Sequence, residues 1–542
     1  MQVFQGKAVS PGIVMGPVVV WQKENNVVQR RQVEDAEEEL ARLEAAFEVS
    51  KEQLCQLSEN DIFRAHQILL EDEGFIDRVR RQITAERLNA EYAVWQVCGD
   101  LEEMFANLAD PFMRERVADI RDVSVRLIQN LEGGLRAVPV LKEPAIIVAE
   151  EISPSETMQL DREKVLALVT LKGSCYSHAA ILARSLSIPA LVGVNVKEIA
   201  SLFSEGRSEC ADSTVFAVVD TETERLLLQP DSETVQEYTS KKKEQQERSV
   251  ELQEYRDRES VTLDGKKIHI CANVGSEAEI REALENGADG IGLFRSEFLF
   301  LGREIFPTEE EQFEAYRQAV MTLQGKRVII RTLDIGADKQ AECLGLVPEV
   351  NPALGCRGIR LCLKRPEMFK VQLRALLRAS VYGNLAIMYP MIASVEEVIQ
   401  VRELLAQVAE ELERQGVEYR IPPQGVMIET PAAVMISDEL AEMVDFFSIG
   451  TNDLTQYALG MDRQNEGLEE FYNPHHKAVL RMISMTVKNA HQAGKWVGIC
   501  GELATDIMLT EEFIRMGVDE LSVVPGEVLP LRKVVRSLKA DK

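Results

Sequence analysis

Between Ile268 and Pro525, short apolar runs alternate with amphipathic stretches of helix length. The runs are HICANV (269–274), GIGLFRSE (290–297), VIIRTLD (328–334), LAIMYPM (385–391), VMIETP (426–431), FFSIGTND (446–453), VGICGE (497–502) and ELSVVP (520–525). Strand-like runs separated by helices predict parallel pairing. Eight such units predict a TIM-type (β/α)8 barrel, whose chemistry gathers where the strands end while the opposite rim serves stability. Arg295, Arg331, Asp334, Glu429, Asn452, Asp453 and Cys500 all fall at or just past those ends.

Upstream the pattern changes twice. Residues 3–21 (VFQGKAVSPGIVMGPVVVW) read as strand and turn, punctuated by Gly6, Pro11 and Gly12. From about Val33 to Leu135, apolar residues recur at three- and four-residue spacing, as in long helices. Strand-helix alternation returns at PAIIVAEEI (144–152), VLALVTL (165–171), IPALVGV (188–194) and FAVVD (216–220). The expected organisation is a multidomain α/β protein. An α/β domain (1–30 and 138–230) is interrupted by an inserted α-helical subdomain (31–137), and a connecting helix (231–259) leads to the barrel (260–542). Residues 233–259, polar on nearly every face and free of Gly and Pro, predict a solvated connector.

Composition narrows the class. A 542-residue chain with 45% hydrophobic and 28% charged residues is that of a soluble globular protein of several domains. Its apolar runs fall short of the roughly 20 residues a membrane span needs. Nine cysteines, an odd number without CxxC pairs, fit a reducing cytoplasm. A net charge of −28 argues against nucleic acid and favours basic partners.

The strand-end residues have a shared chemistry. Glu429 and Asp453 close neighbouring runs, and two carboxylates that leave the other positions to water and substrate oxygens suit magnesium. Arg295, Arg331 and Arg463 supply planar forks for phosphate or carboxylate; singly, each would read as a surface ion-pair partner. Cys500, in GICGE, would elsewhere read as a small buried apolar residue; beside cations it can donate a proton. Cys271 lies inside its run and reads as core. Among six histidines, His178 stands out in GSCYSHAAILAR. A small polar turn there enters a helix, whose N-terminus favours a neutral, nucleophilic imidazole and stabilises phosphate oxygens. The plainer reading is a first-turn polar residue. His66 reads as surface or core, and His269, His475, His476 and His491 carry no constellation.

With both features in view, the chain resembles the phosphoenolpyruvate–protein phosphotransferases, the Enzyme I family of the sugar phosphotransferase system, over almost its whole length. DFFSIGTNDLTQYALG (445–460) is the most specific stretch, supported by GLFRSEFLF (292–300), RTLDIGADK (331–339), GVMIETPAA (425–433) and GKWVGICGELA (494–504). The resemblance implies that Arg295, Arg331, Asn452, Asp453 and Arg463 bind phosphoenolpyruvate, that Glu429 and Asp453 hold Mg2+, and that Cys500 protonates the enolate. His178 would be phosphorylated through Nε2, with Thr157 as its hydrogen-bond partner. It also implies transfer to the small phosphocarrier HPr, and a cytoplasmic homodimer joined through the barrel. One departure precedes the histidine. Where the family has two glycines and a small hydroxyl residue, this chain has Gly173, Ser174 and Tyr176.

The phosphohistidine domain would swing between the barrel mouth and the carrier. The acidic helix around Ile62–Ile76 is the expected carrier surface. Pyruvate phosphate dikinase and phosphoenolpyruvate synthase need an ATP-grasp domain for which no stretch remains, and pyruvate kinase lacks the phosphohistidine domain. The alternative is a non-catalytic regulatory paralogue that binds carrier proteins.

Overall fold

The chain folds into two units, Met1–Gln246 and Glu247–Lys542. The structure, a computed structural model, describes residues 1–10, 12–21, 28–55, 66–67, 69–106, 111–133, 141, 143–152, 156, 160–161, 164–172, 180, 183, 188–194, 215–301, 303, 305–336, 341–347, 349–463, 465, 468 and 471–540. His178, Thr157 and the 173–176 turn lie outside the described residues.

In the first unit the described strands are β1 (Gln2–Gln5), β2 (Lys7–Ser10), β3 (Ile13–Trp21), β4 (Ala145–Ala149), β5 (Val165–Thr170), β6 (Ala190–Val192), β7 (Phe216–Asp220) and β8 (Arg225–Leu228). They form one sheet in the order β1-β8-β7-β3-β4-β5-β6-β2. β3 through β6 run parallel, and β4 (AIIVA) is buried at every position, as a strand covered on both faces must be. Ile147 joins the core on one face, Ile146 and Val148 the core on the other. Sequence patterning misses β8, a four-residue strand that turns back from β7 through Glu224 at φ 56°.

Between β3 and β4 lie α1 (Ala36–Cys55), α2 (Glu73–Glu86), α3 (Ala90–Ala106) and α4 (Pro111–Leu131), packed on a core that includes Leu43, Leu70, Val79, Val94 and Leu127. The helical periodicity of this stretch is interrupted at Asp72. Asp72 adopts extended backbone and caps α2, accepting from the Phe75 N–H at 2.6 Å, so a new helix starts there. His66 proves fully buried, with Nε2 3.2 Å from Asp119 and Nδ1 3.5 Å from Asp122. The polar stretch after β8 is helix α5 (Ser232–Gln253). It is not solvated throughout: Tyr238 is buried and donates to Asp220 at 3.0 Å.

In the second unit, β9 (His269–Val274), β10 (Gly290–Arg295), β11 (Arg327–Arg331), β12 (Leu385–Tyr389), β13 (Gln424–Ile428), β14 (Phe446–Ile449), β15 (Trp496–Ile499) and β16 (Glu520–Val523) close into a parallel barrel. All of the expected barrel strands are present. Helices between them include α6 (Glu277–Glu285), α7 (Glu309–Thr322), α8 (Ile359–Lys364), α9 (Pro366–Ala379), α10 (Val395–Gln415), α11 (Pro431–Met435), α12 (Ser437–Ala441), α13 (Thr451–Leu459), α14 (Lys477–Gln492) and α15 (Ile507–Met516), and α16 (Val528–Ser537) follows β16. Successive strand residues face opposite sides. Leu293, Ile329, Met388, Met427 and Phe446 fill the lumen with Cys500, while Phe294, Ile330, Ile387, Ile428 and Phe447 pack outward against the helices.

The barrel bottom is closed by chemistry unlike that of the mouth. Buried Glu520 pairs with Arg327, whose guanidinium lies 4.0 Å above the Trp496 ring, itself stacked on Phe446. Cys271 is fully buried there with its Sγ 3.2 Å from Glu520, in keeping with its reading as core.

Candidate active site at the barrel mouth

The ends of β10, β11, β13, β14 and β15 surround a cavity of about 770 Å³. Its lining includes Arg295, Arg331, Glu429, Asn452, Asp453, Arg463 and Cys500, each anticipated from the sequence as lying at one mouth. Each arrives for a local reason. Arg295 and Arg331 are the last residues of β10 and β11, and Glu429 follows β13 directly. Asn452 and Asp453 occupy the first turn of α13, after Gly450 has let the chain leave β14. A β-carbon at Gly450 would lie 2.9 Å from Glu429 Oε2, so the glycine keeps space beside that carboxylate.

Glu429 is almost wholly enclosed, at 1% exposure. Its Oε1 accepts from the Met391 N–H at 2.6 Å. Burial raises its carboxyl well above the usual range, Asp334 and Asp453 reinforce this, and Arg331 and Arg357 oppose it. An ionised Glu429 therefore needs more positive charge than those two arginines provide.

Asp334 and Arg357, which sequence reasoning left without a role, organise the charges of the site. Arg331 is 8% exposed, pairs with Glu297, and approaches Asp334 at 3.0 Å. Burial disfavours its charge, but Glu297, Asp334 and Glu429 outweigh burial and hold the guanidinium firmly protonated. Arg357, absent from the expected set, reaches both oxygens of Asp334 at 3.2 Å and Asp453 at 3.7 Å. No strand end announces Arg357; it precedes Gly358, whose φ of 55° admits the turn into α8. The signal available in the sequence was the LGCRG turn chemistry.

Toward the rim, Asn452 and Glu502 exchange two hydrogen bonds of 2.9 Å, linking the β14 and β15 loops. Arg463 lies 3.9 Å from both Asp453 and Glu502, and about a third of its side chain is exposed. Cys500 is 4% exposed at the cavity floor. Burial pushes its thiol up to about 11, against the pull of the Ser448 hydroxyl and Arg331. A thiol held there stays protonated at neutral pH.

Among the described residues, no group of three or more His, Cys, Asp or Glu assembles as a metal site. Glu429 and Asp453 offer two carboxylates instead. Hard oxygen donors with an unmet charge at Glu429 and a space kept by Gly450 fit a divalent ion that retains water and substrate ligands.

The chain matches three family domains: "PEP-utilising enzyme, N-terminal" over 5–116, "PEP-utilising enzyme, mobile domain" over 141–267, and "PEP-utilising enzyme, PEP-binding domain" over 249–540. It is 41% identical to the phosphoenolpyruvate-protein phosphotransferase of Priestia megaterium, an alignment covering 99% of this chain and 94% of that protein. The protein of the same name from Bacillus subtilis (strain 168) is 39% identical, across 100% of this chain and 95% of the relative. The one from Staphylococcus carnosus (strain TM300) is 39% identical, with 99% and 94% covered. Matched along its whole length at this identity, the chain belongs to the phosphoenolpyruvate-protein phosphotransferase family.

Proposed function

We propose that the protein takes the phosphoryl group of phosphoenolpyruvate onto His178, releases pyruvate, and passes the group to a histidine of the phosphocarrier HPr, the first step of phosphotransferase-system sugar uptake. The observation that carries this reading is the barrel mouth, where Arg295, Arg331, Arg463, Asn452, Glu429, Asp453 and Cys500 line one cavity in a chain of this family.

Arg331 and Arg295 grip the phosphate and Arg463 and Asn452 the carboxylate end, fixing the substrate for in-line displacement. Glu429 and Asp453 would hold Mg2+, which supplies countercharge for the substrate oxygens when bound. The His178 imidazole attacks phosphorus as a neutral nucleophile, with Thr157 as its hydrogen-bond partner. As the P–O bond breaks, the electron pair returns to the enolate. Cys500 delivers its proton to the methylene carbon, forming a C–H bond and leaving a thiolate beside Arg331.

The exposed Glu71, Asp72, Glu73 and Asp77 near the start of α2 support a basic face on the carrier. Among the described residues no helix is long and apolar enough to cross a membrane. A cytoplasmic homodimer joined through the barrel unit completes the reading.

The test is pyruvate release from phosphoenolpyruvate with Mg2+, with and without HPr. Sustained turnover only with carrier present supports the cycle. A protein that binds HPr yet releases no pyruvate would be the regulatory paralogue instead.

A further inference from the structure

Helix α9 packs an apolar face inward through Phe369, Leu373 and Leu376, and in the middle of that face stands Gln372, 2% exposed. A leucine would be the ordinary occupant, because an amide taken out of water must recover its hydrogen bonds. Gln372 recovers them from three partners. Its Oε1 accepts from the Leu333 backbone N–H at 3.0 Å, and its Nε2 donates to Ser296 Oγ at 3.2 Å and Tyr316 Oη at 3.0 Å. The Tyr316 hydroxyl in turn donates to Gln312 at 3.4 Å.

The orientation of the amide is settled by its partners. Leu333 N–H can only donate, so it must meet the carbonyl oxygen, and the NH2 group then points at the two hydroxyls. Both amide hydrogens are thereby used. Ser296 is the residue after Arg295 and precedes Glu297, the partner of Arg331. Leu333 lies between Arg331 and Asp334, the other partner of Arg331. One buried amide thus spans the two loops that carry Arg295, Arg331 and both carboxylates that aim Arg331.

We propose that Gln372 is a positioning residue for the phosphate-binding arginines, setting the separation of the β10 and β11 loops so that Arg295 and Arg331 meet one phosphate together. This rests on the reading of Arg331 as a phosphoenolpyruvate ligand. Gln372 itself touches no substrate. It acts through Leu333 and Ser296, where a shift of a few tenths of an ångström is felt by side chains as enclosed as Arg331 and Glu297.

The experiment uses the full-length protein with Mg2+ and HPr, measuring kcat and KM for phosphoenolpyruvate in Gln372→Leu, Ser296→Ala, Arg331→Lys and the double variant Gln372→Leu/Arg331→Lys. We expect Gln372→Leu to raise KM roughly tenfold with kcat changed much less, and Ser296→Ala to move KM the same way by a smaller factor. On the Arg331→Lys background the Gln372→Leu change should add less than about twofold, because residues acting through one another are not additive. Should Gln372→Leu fold poorly, Ser296→Ala carries the same test from the other end of the brace. KM unaltered in both variants, or the full factor repeated on the Arg331→Lys background, overturns the proposal and leaves Gln372 an ordinary packing residue. If Arg331→Lys alone leaves KM at the parent value, the reading of Arg331 fails, and this inference with it.

Discussion

The backbone N–H of Met391 donates to Glu429 Oε1 at 2.6 Å, and Met391 adopts a φ of 60° in doing so. A non-glycine residue in the left-handed region costs about 1–2 kcal/mol. Here that conformation aims a backbone donor at the carboxylate, fixing one oxygen of Glu429 and leaving Oε2 on the side kept open by Gly450. Replacing Glu429 with Gln keeps the hydrogen bond but removes the anionic ligand. Glu429→Gln should therefore retain its fold and lose about 100-fold or more in kcat. Calorimetric titration with Mg2+ checks the cause: the heat seen with the parent protein should vanish in the variant.

The same carboxylate makes stability depend on pH in a defined direction. Its pKa is raised in the folded protein, so its favourable contribution is complete below the ordinary value of 4.5 and disappears as pH climbs through the raised value. Metal-free protein should lose stability over that interval, and Glu429→Gln should lose less. Thermal melts in chelator across pH 5 to 8 measure both. Parallel profiles for parent and variant would contradict a cost of ionising Glu429 in this range.

Cys500 predicts a chemical signature. With its thiol pushed up to about 11, alkylation by iodoacetamide should be slow at pH 8 and accelerate toward pH 11. Cys500→Ala should keep phosphoenolpyruvate affinity while slowing pyruvate release, as the loss of a general acid costs roughly 100-fold or more. Mass spectrometry of the modified peptide separates Cys500 from the other cysteines.

Arg532 anchors the segment entering the barrel unit. Fully buried, it donates to the carbonyls of Tyr255, Arg256 and Gly287 and to Ser260, and pairs with Asp289 at 3.2 Å. Arg532→Ala should destabilise the barrel unit by about 2–3 kcal/mol, since it empties a buried site and removes the donor shared by Ser260, three partly buried carbonyls and Asp289. Denaturant unfolding followed by Trp496 fluorescence reads that loss.

Much of the mouth was legible because barrel geometry converts sequence position into spatial position. A residue that closes a β-run lies at the catalytic rim wherever its strand falls in the circle, so Arg295, Glu429 and Cys500 could be grouped across two hundred residues of chain. Arg357 and Gln372 escaped for opposite reasons. Arg357 sits in a loop whose path no periodicity encodes, and Gln372 sits on a helix where a lone amide resembles any polar interruption of an apolar face. β8 was too short to register, and the helix break at Asp72 was set by a single side-chain cap. His178 and Thr157 stand on sequence alone, outside the described residues.

His178 is the proposed acceptor of the phosphoryl group, and the whole cycle depends on it. Full-length protein incubated with 32P-phosphoenolpyruvate and Mg2+ should acquire acid-labile, base-stable label on the peptide containing His178, discharged on adding HPr, while His178→Ala acquires none. Label of the same stability appearing on the His178→Ala protein would contradict it.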